Sequence, residues 1–135
     1  MLMDTELLRT TLLTAWGPDT CDPHDLADWR PENPSRGQCG VTALLVQDLF
    51  GGELVLGEVL VDGVKVGHHY WNRLPGGRDV DLTADQFHPP EVVTGGVVRR
   101  RPPGAPARCR EQYELLRRRV LAALAQPRWP ASSSA

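Results

Sequence analysis

Apolar residues recur at helical spacing in two parts of the chain, one near each end. The first stripe follows Asp4, a residue type that caps helices, and predicts a helix over residues 5–15. The second stripe predicts a final helix over residues 108–125. Residues 39–50 are apolar on nearly all sides and therefore predict a buried central helix. The two stripes consist of Leu8, Leu12 and Trp16, and of Tyr113, Leu116, Val120 and Leu124.

Valine-rich runs between the central and final helices predict an antiparallel sheet. Residues 53–61 and 64–72 flank Asp62-Gly63, a dipeptide that favours two-residue hairpins. Pro75-Gly76-Gly77 predicts a second turn, which leads into a third strand over residues 79–82. This order of elements predicts an α+β fold in which the central helix packs on an antiparallel β-meander.

Turn-rich connections and composition define the expected domain. Residues 17–37 predict a long loop with a turn at 23–29, and residues 89–108 predict a second loop with a short strand at 96–100. A chain of 135 residues that is 41% hydrophobic fits a single domain, which we expect over residues 1–126. The Pro-, Ser- and Ala-rich residues 127–135 predict a disordered tail.

Charge is distributed unevenly although the net charge is only −2. Residues 1–95 carry 15 acidic and 6 basic side chains, whereas residues 96–135 carry 9 arginines and 2 glutamates. This asymmetry favours either a basic face for an anionic partner or docking of the final helix on an acidic body. The arginine runs have no interleaved aromatic residues, so we expect no nucleic-acid binding.

Membrane association is also not expected from the sequence. There is no positively charged leader and no apolar run near the ~18 residues that a membrane helix needs, so we predict a soluble, cytoplasmic protein. The oligomeric state is left open.

The three cysteines are widely spaced, which argues against a disulfide framework or a structural zinc site. A disulfide between Cys21 and Cys109 remains an alternative. A metal site formed by His24, His88 and Cys21 with His69 and Asp81 is another, but no compact ligand motif favours it. We therefore expect neither a metal nor an organic cofactor.

A cysteine, a histidine and a carboxylate follow one another in an order that suggests nucleophilic catalysis. Cys39 begins the central helix, where unpaired N–H groups and the helix dipole stabilise a thiolate. With Leu74 facing Arg78 across the second turn, Asp81 lies opposite Trp71 and becomes a diagonal neighbour of His69. This register predicts that Asp81 orients His69 and that His69 accepts the proton of Cys39.

Other residues near these three are candidates for substrate binding. The N–H groups at the helix start predict an oxyanion hole, with Gly37 and Gly40 allowing a close approach of substrate. Gln38 is either a further side-chain donor to the oxyanion or a solvated loop residue. Trp71 lies on the face of His69 and either walls the site or belongs to the core, whereas His68 points to the opposite face of the strand. We expect substrate to enter between the 17–37 loop and residues 84–105.

The combination of motifs resembles the YunG-like family of uncharacterised bacterial proteins. The segments that carry this resemblance extend over about residues 33–121, and the pairing of His-Tyr-Trp-Asn with Asp-Leu-Thr is its most specific part. They are residues 37–43, 69–72, 81–87 and the Tyr-x-Leu-Leu-x-x-Arg-Val run within 110–120.

More distantly, the arrangement is similar to the transglutaminase-like branch of papain-like cysteine enzymes. These enzymes have a cysteine at the start of a central helix, a His-x-Trp strand motif and an Asp-x-Thr motif. The resemblance implies a papain-like fold and the roles of nucleophile, base and orienting carboxylate for Cys39, His69 and Asp81. It implies a cysteine hydrolase or acyltransferase that acts on a small amide, ester, thioester or peptide. The alternative is a catalytically inactive module that binds a small molecule or a protein in the same cleft.

Overall fold

The described part of the chain contains three α-helices. The computed structural model describes residues 4–101 and 108–126, and its helices are α1 (Thr5–Ala15), α2 (Cys39–Phe50) and α3 (Arg110–Ala125). The predicted bounds of α1 and α2 are confirmed, and α3 begins two residues later than expected. No helix in the described residues is long and apolar enough to span a bilayer. The tail predicted over 127–135 lies outside the described residues.

Local chemistry explains where the helices begin and end. The Asp4 side chain accepts a hydrogen bond of 2.7 Å from Leu7 N, which satisfies one of the free N–H groups at the start of α1. At the end of α2, Gly51 has a φ of 79° and its N–H donates to Gln47 O. A left-handed backbone at this position favours glycine. The long loop before α2 contains a short 3₁₀ helix at Pro23–Asp28, close to the predicted turn.

Within the described ranges, the sheet has five strands: β1 (Glu53–Val61), β2 (Val64–Arg73), β3 (Asp79–Val80), β4 (Glu91–Val93) and β5 (Val97–Arg99). Its order is β3-β2-β1-β4, and β5 also pairs with β1. All pairings are antiparallel, so the predicted meander and α+β class are confirmed. At the hairpin between β1 and β2, Asp62 and Gly63 have φ of 51° and 78°, as a type I′ turn requires.

The predicted register between β2 and β3 is also confirmed. Asn72 pairs with Val80, and Leu74 N donates to Arg78 O across the turn. Strand β3 is shorter than predicted because the chain turns at Asp81, where the carboxylate accepts a bond from Thr83 N. A side chain that bonds the backbone two residues later stabilises a turn and ends the strand.

Strand β4 was not predicted from the sequence. It contains three residues and pairs with the C-terminal half of β1, where Val59 faces Val93. Strand β5 lies inside the predicted range of 96–100. Such short strands form by long-range pairing with β1, and this pairing leaves little local signal.

Helix α2 packs on the sheet, where it contacts β1 and β2, and α3 packs against both α2 and α1. Trp16 Nε1 donates a hydrogen bond of 2.9 Å to Thr42 Oγ1, which ties the end of α1 to α2. The prediction of a buried central helix is confirmed. The main core cluster contains Leu8, Leu12, Ala15, Trp16, Val41, Leu45, Val46, Tyr113, Leu116 and Val120.

Ion pairs join the basic C-terminal part of the chain to the acidic body. Arg119 Nη1 donates to an Asp19 oxygen at 2.8 Å and to Ala15 O at 3.0 Å. Arg108 Nη2 donates to both oxygens of Asp22 at 2.6 and 2.7 Å. These contacts favour docking as the explanation of the charge asymmetry.

Two adjacent leucines on α1 give a direct test of this core. Leu12 is 0% exposed and Leu13 is 45% exposed. We expect Leu12→Ala to lower the free energy of unfolding by about 2–5 kcal/mol because it leaves a cavity. Leu13→Ala should change it by no more than about 0.5 kcal/mol. Urea unfolding of both variants checks the difference, and equal losses would contradict the described packing.

Candidate active site

Cys39 is the first residue of α2 and its side chain is half-buried. The first intrahelical hydrogen bond runs from Thr42 N to Gln38 O at 3.0 Å. The N–H groups of Cys39 and Gly40 therefore have no carbonyl partner within the helix. These donors and the positive end of the helix dipole favour negative charge beside the Cys39 sulfur.

His69 lies in the middle of β2 and is enclosed by aromatic side chains. Its side chain is 0% exposed. The Trp71 ring stacks on the imidazole with a centroid distance of 5.7 Å. The Phe87 ring meets it edge-on at 4.7 Å. These two rings keep water away from the imidazole, which strengthens its remaining polar contacts.

Asp81 binds the buried imidazole from the turn after β3. His69 Nε2 and Asp81 Oδ2 are 2.6 Å apart. The other oxygen of Asp81 accepts hydrogen bonds from Thr83 N and Thr83 Oγ1. Because a carboxylate can only accept, Nε2 carries the hydrogen of this bond. Asp81 therefore fixes both the orientation and the tautomer of His69.

The second ring nitrogen of His69 is free to accept a proton. Among the described residues, Nδ1 is buried without a hydrogen-bond partner. Burial lowers the pKa of His69, but the bond to Asp81 and the nearby Cys39 thiol outweigh it and raise the pKa to about 9. The ring is therefore a strong base near a thiol.

The side chain of Gln38 points into the protein rather than standing free beside Cys39. It is 0% exposed. Its Oε1 accepts from Thr20 Oγ1 at 2.8 Å, and its Nε2 donates to Gly17 O at 3.0 Å. This amide ties the start of α2 to the loop after α1. The donors that remain for an oxyanion are the backbone N–H groups at the helix start.

The two glycines that flank Gln38 and Cys39 have different surroundings. A Cβ built at Gly40 would meet nothing within 4 Å, so this side of the helix start is open to a ligand. A Cβ at Gly37 would lie 2.4 Å from Cys21 Sγ, and Gly37 has a φ of 74°. Gly37 is therefore required by packing and by backbone conformation.

Trp71 and His68 lie on opposite faces of β2, as the sequence predicted. The Trp71 indole donates to Asp79 Oδ2 at 3.1 Å and covers one side of His69. His68 is exposed. Only one of the two adjacent histidines thus belongs to the enclosed cluster.

The other two cysteines differ from Cys39 in their surroundings. Cys21, Cys39 and Cys109 are all free thiols, so the alternative of a Cys21–Cys109 disulfide does not match the structure. Burial, aided by Asp25 and Asp22, raises the pKa of Cys21 to about 12. Burial and the Asp22 carboxylate also raise the pKa of Cys109. Both thiols are therefore disfavoured as nucleophiles at neutral pH.

The metal alternative receives no geometric support. Within residues 4–101 and 108–126, no group of three or more His, Cys, Asp or Glu side chains is arranged to hold a metal ion.

The expected entrance for substrate is occupied by contacts, and that expectation is wrong at residues 33–37. Arg36 Nη1 donates to both oxygens of Glu91 at 3.0 and 3.1 Å. Ser35 Oγ donates to Asp85 Oδ1 at 2.9 Å. These bonds close the gap between the loop before α2 and the segment after Asp81. The open side of Gly40 is a better candidate for the approach of a ligand.

Sequence reasoning missed two contributors to this site. Phe87 walls His69, and Thr83 holds the second oxygen of Asp81. The spacing Asp-x-Thr was a signal for Thr83, because Asp side chains bond the backbone two residues later. Phe87 carried no comparable signal, since its position depends on how the segment after Asp81 folds back.

Comparisons with known proteins identify a family that matches most of the chain. A family model described as YunG protein matches residues 4–125. The chain is similar to the Uncharacterized protein YunG of Bacillus subtilis (strain 168), with 40% identity over 67 residues. That match covers 50% of this chain and 53% of the relative, so it spans about half of each. No solved structure matches the chain. The chemistry must therefore be argued from the site itself.

Replacing Asp81 by Asn should lower the pKa of His69 and change the pH dependence of stability. The folded pKa of about 9 exceeds the ordinary 6.5. The imidazolium therefore stabilises the fold fully below pH 6.5, and this contribution is lost as the pH rises through 9. An amide at residue 81 removes the carboxylate that favours the imidazolium. The stability advantage of the wild type over Asp81→Asn should thus shrink across this range.

Thermal unfolding of both proteins across this pH range, with an NMR titration of His69, measures the effect. His68→Gln is the matched control because His68 is exposed on the opposite face. An advantage of the wild type that is independent of pH would contradict a charged pair at His69 and Asp81.

Proposed function

This chain belongs to the YunG family, and we propose that it is a cysteine-dependent hydrolase or acyltransferase. Cys39 is the nucleophile, His69 the general base and acid, and Asp81 the carboxylate that orients His69. The observation that carries the proposal is the buried bond of 2.6 Å between His69 Nε2 and Asp81. It leaves Nδ1 as the only ring nitrogen available to the Cys39 thiol.

The first step is activation of Cys39. The thiol proton passes to His69 Nδ1, and the resulting imidazolium is stabilised by Asp81 on Nε2. The thiolate lies at the N-terminus of α2, where the helix dipole favours it. The raised pKa of His69, about 9, means that the ring holds this proton at neutral pH.

The second step forms an acyl-enzyme on a carbonyl substrate. The Cys39 sulfur attacks the carbonyl carbon of an amide, ester or thioester, and the C=O electron pair moves to oxygen. The N–H groups of Cys39 and Gly40 provide donors for this oxyanion. When the tetrahedral intermediate collapses, the bond to the leaving group breaks, and His69 Nδ1–H protonates the leaving group.

The third step releases the acyl group. His69 Nδ1 takes a proton from water or from an amine as that nucleophile attacks the thioester carbon. The C–S bond then breaks, its electron pair returns to the Cys39 sulfur as thiolate, and His69 keeps the proton as imidazolium. The products are a carboxylic acid when water attacks and an amide when an amine attacks. No metal or organic cofactor takes part in these steps.

The order of elements supports a papain-like arrangement of the transglutaminase type. Cys39 begins a buried helix, His69 lies on β2, and Asp81 directly follows β3, the antiparallel neighbour of β2. The half-buried thiol and the fully enclosed imidazole favour a small acyl group or an extended peptide over a bulky folded protein. The open side of Gly40 is where such a substrate would approach.

Site-resolved alkylation tests the proposal. At about pH 6.5 an ordinary thiol with a pKa near 8.5 is only about 1% ionised. We expect iodoacetamide to label Cys39 at this pH much faster than Cys21 or Cys109, whose pKa values are raised. His69→Gln should slow labelling of Cys39 at about pH 6.5 by about tenfold or more, because the thiolate loses its imidazolium partner.

His68→Gln is the control and should label like the wild type. Mass spectrometry should also detect an acyl group on Cys39 after incubation with an activated ester or thioester, and Cys39→Ala should abolish it. If Cys39 labels like a free thiol in the wild type and in His69→Gln, the proposed enzyme is ruled out. The same cleft would then be better explained as a binding module.

Gly40→Ala tests where substrate approaches. A Cβ at Gly40 has room in the folded protein, and alanine is favoured over glycine in a helix by about 1 kcal/mol. We therefore expect unchanged or higher stability but a lower kcat/KM, with the largest loss for bulky acyl groups. The ratio of rates with acetyl and longer acyl esters measures this effect. A uniform rate across these esters would contradict approach along Gly40.

A further inference from the structure

Gln86 is a buried glutamine in the segment that follows Asp81. Its residue is only 3% exposed and belongs to a short 3₁₀ turn, Ala84–Gln86. Its Oε1 accepts from Gly37 N at 3.2 Å, and its Nε2 donates to Thr83 O at 3.1 Å. One side chain therefore contacts two separate loops.

These two loops carry different halves of the proposed catalytic cluster. Gly37 lies two residues before Cys39, and Thr83 holds the second oxygen of Asp81. The backbone of Gln86 adds to the same junction, because its carbonyl accepts from Asn33 Nδ2 at 3.0 Å. The amide of Gln86 thus links the loop of the nucleophile to the turn of the carboxylate.

With the His69–Asp81 bond, these contacts form a nearly closed path around the site. The path has one link without a hydrogen bond, which is the link between His69 Nδ1 and the Cys39 sulfur. All other links are covalent or hydrogen-bonded. Its order is Cys39, Gln38, Gly37, Gln86, Thr83, Asp81 and His69.

A buried amide in this position requires partners at both ends. The donor is Gly37 N–H and the acceptor is Thr83 O. A side chain that bonds both must carry an acceptor and a donor at its end, as the glutamine amide does. Glutamate would lose the donor to Thr83 O, and methionine would lose both bonds. Since a displacement of about 1 Å can cost 10²-fold in catalysis, the separation of the two loops matters for chemistry.

We propose that Gln86 is a positioning residue, which sets the distance between the Cys39 thiol and His69 by joining the loop of Cys39 to the turn of Asp81. It does not touch substrate. It acts through Gly37 on one side and through Thr83 and Asp81 on the other. This inference rests on the proposed function, because it assigns Gln86 a role in forming the thiolate–imidazolium pair.

The pH profile of Cys39 alkylation separates a positioning role from a structural one. Loss of a buried hydrogen bond elsewhere in the protein lowers stability and leaves the Cys39–His69 pair unchanged. Loss of the Gln86 bridge should weaken the pair itself. We expect Gln86→Met to reduce iodoacetamide labelling of Cys39 at about pH 6.5 by about tenfold, while labelling at pH above the ordinary thiol pKa of about 8.5 stays close to wild type.

Tyr113→Phe is the matched control. It removes a hydrogen bond from Tyr113 to Asp48, in the C-terminal half of α2 and far along the helix from Cys39. We expect this variant to lose stability and to keep the full labelling at about pH 6.5. Circular dichroism and thermal unfolding establish that each variant is folded under the labelling conditions.

Gln86→Glu is the second variant and keeps the size of the side chain. Its carboxylate still accepts from Gly37 N but cannot donate to Thr83 O, so we expect a smaller loss in the same direction. It provides the test if Gln86→Met does not fold.

The outcomes separate this inference from the proposed function. Rapid labelling of wild-type Cys39 at about pH 6.5 with a loss in the folded Gln86 variant supports both. Rapid labelling that a folded Gln86 variant retains overturns the role of Gln86 alone. Slow labelling of the wild type itself overturns both.

Discussion

The hydrogen bond between His69 and Asp81 is the interaction on which the site depends. An enclosed site solvates a charged imidazole less well than water does, so burial alone would favour the neutral ring. The carboxylate at 2.6 Å reverses this preference and raises the pKa of His69 to about 9, with help from the Cys39 thiol. Without Asp81, the aromatic walls formed by Trp71 and Phe87 would disfavour the charge that the proposed chemistry needs.

That hydrogen bond depends in turn on the register of the sheet. Side chains alternate across a strand, so a slip of one residue between β2 and β3 would move Asp81 to the face of His68. The pairing of Asn72 with Val80 and the turn from Leu74 to Arg78 prevent this slip. Two features therefore place the Asp81 carboxylate beside His69. One is the length of the glycine-rich turn between β2 and β3, and the other is the turn after β3, in which Asp81 accepts a hydrogen bond from Thr83 N.

Strong local patterns made most of the fold predictable, whereas contacts between distant segments were not. The helix periodicity, the Asp-Gly hairpin and the register of β3 followed from spacing alone, and so did the meeting of His69 with Asp81. Strand β4 and the closure of the loop before α2 by Arg36 and Glu91 are long-range contacts between short segments. The orientation of Gln38 was not predictable in the same way. Its position next to Cys39 suggested a donor for substrate, whereas its amide donates to Gly17 O.

The cluster also joins a helix to the sheet, since Cys39 begins α2 while His69 lies on β2 and Asp81 directly follows β3. Asn72, the last residue of the His-Tyr-Trp-Asn motif, is buried and donates to Ala43 O in α2 at 2.9 Å. This bond fixes strand β2 against the helix that Cys39 begins. Within one motif, His69 is thus the proposed base, while Asn72 ties its strand to α2. A change in the packing of α2 on β2 would move the Cys39 thiol relative to the imidazole without altering either residue, so the proposed pair depends on this packing.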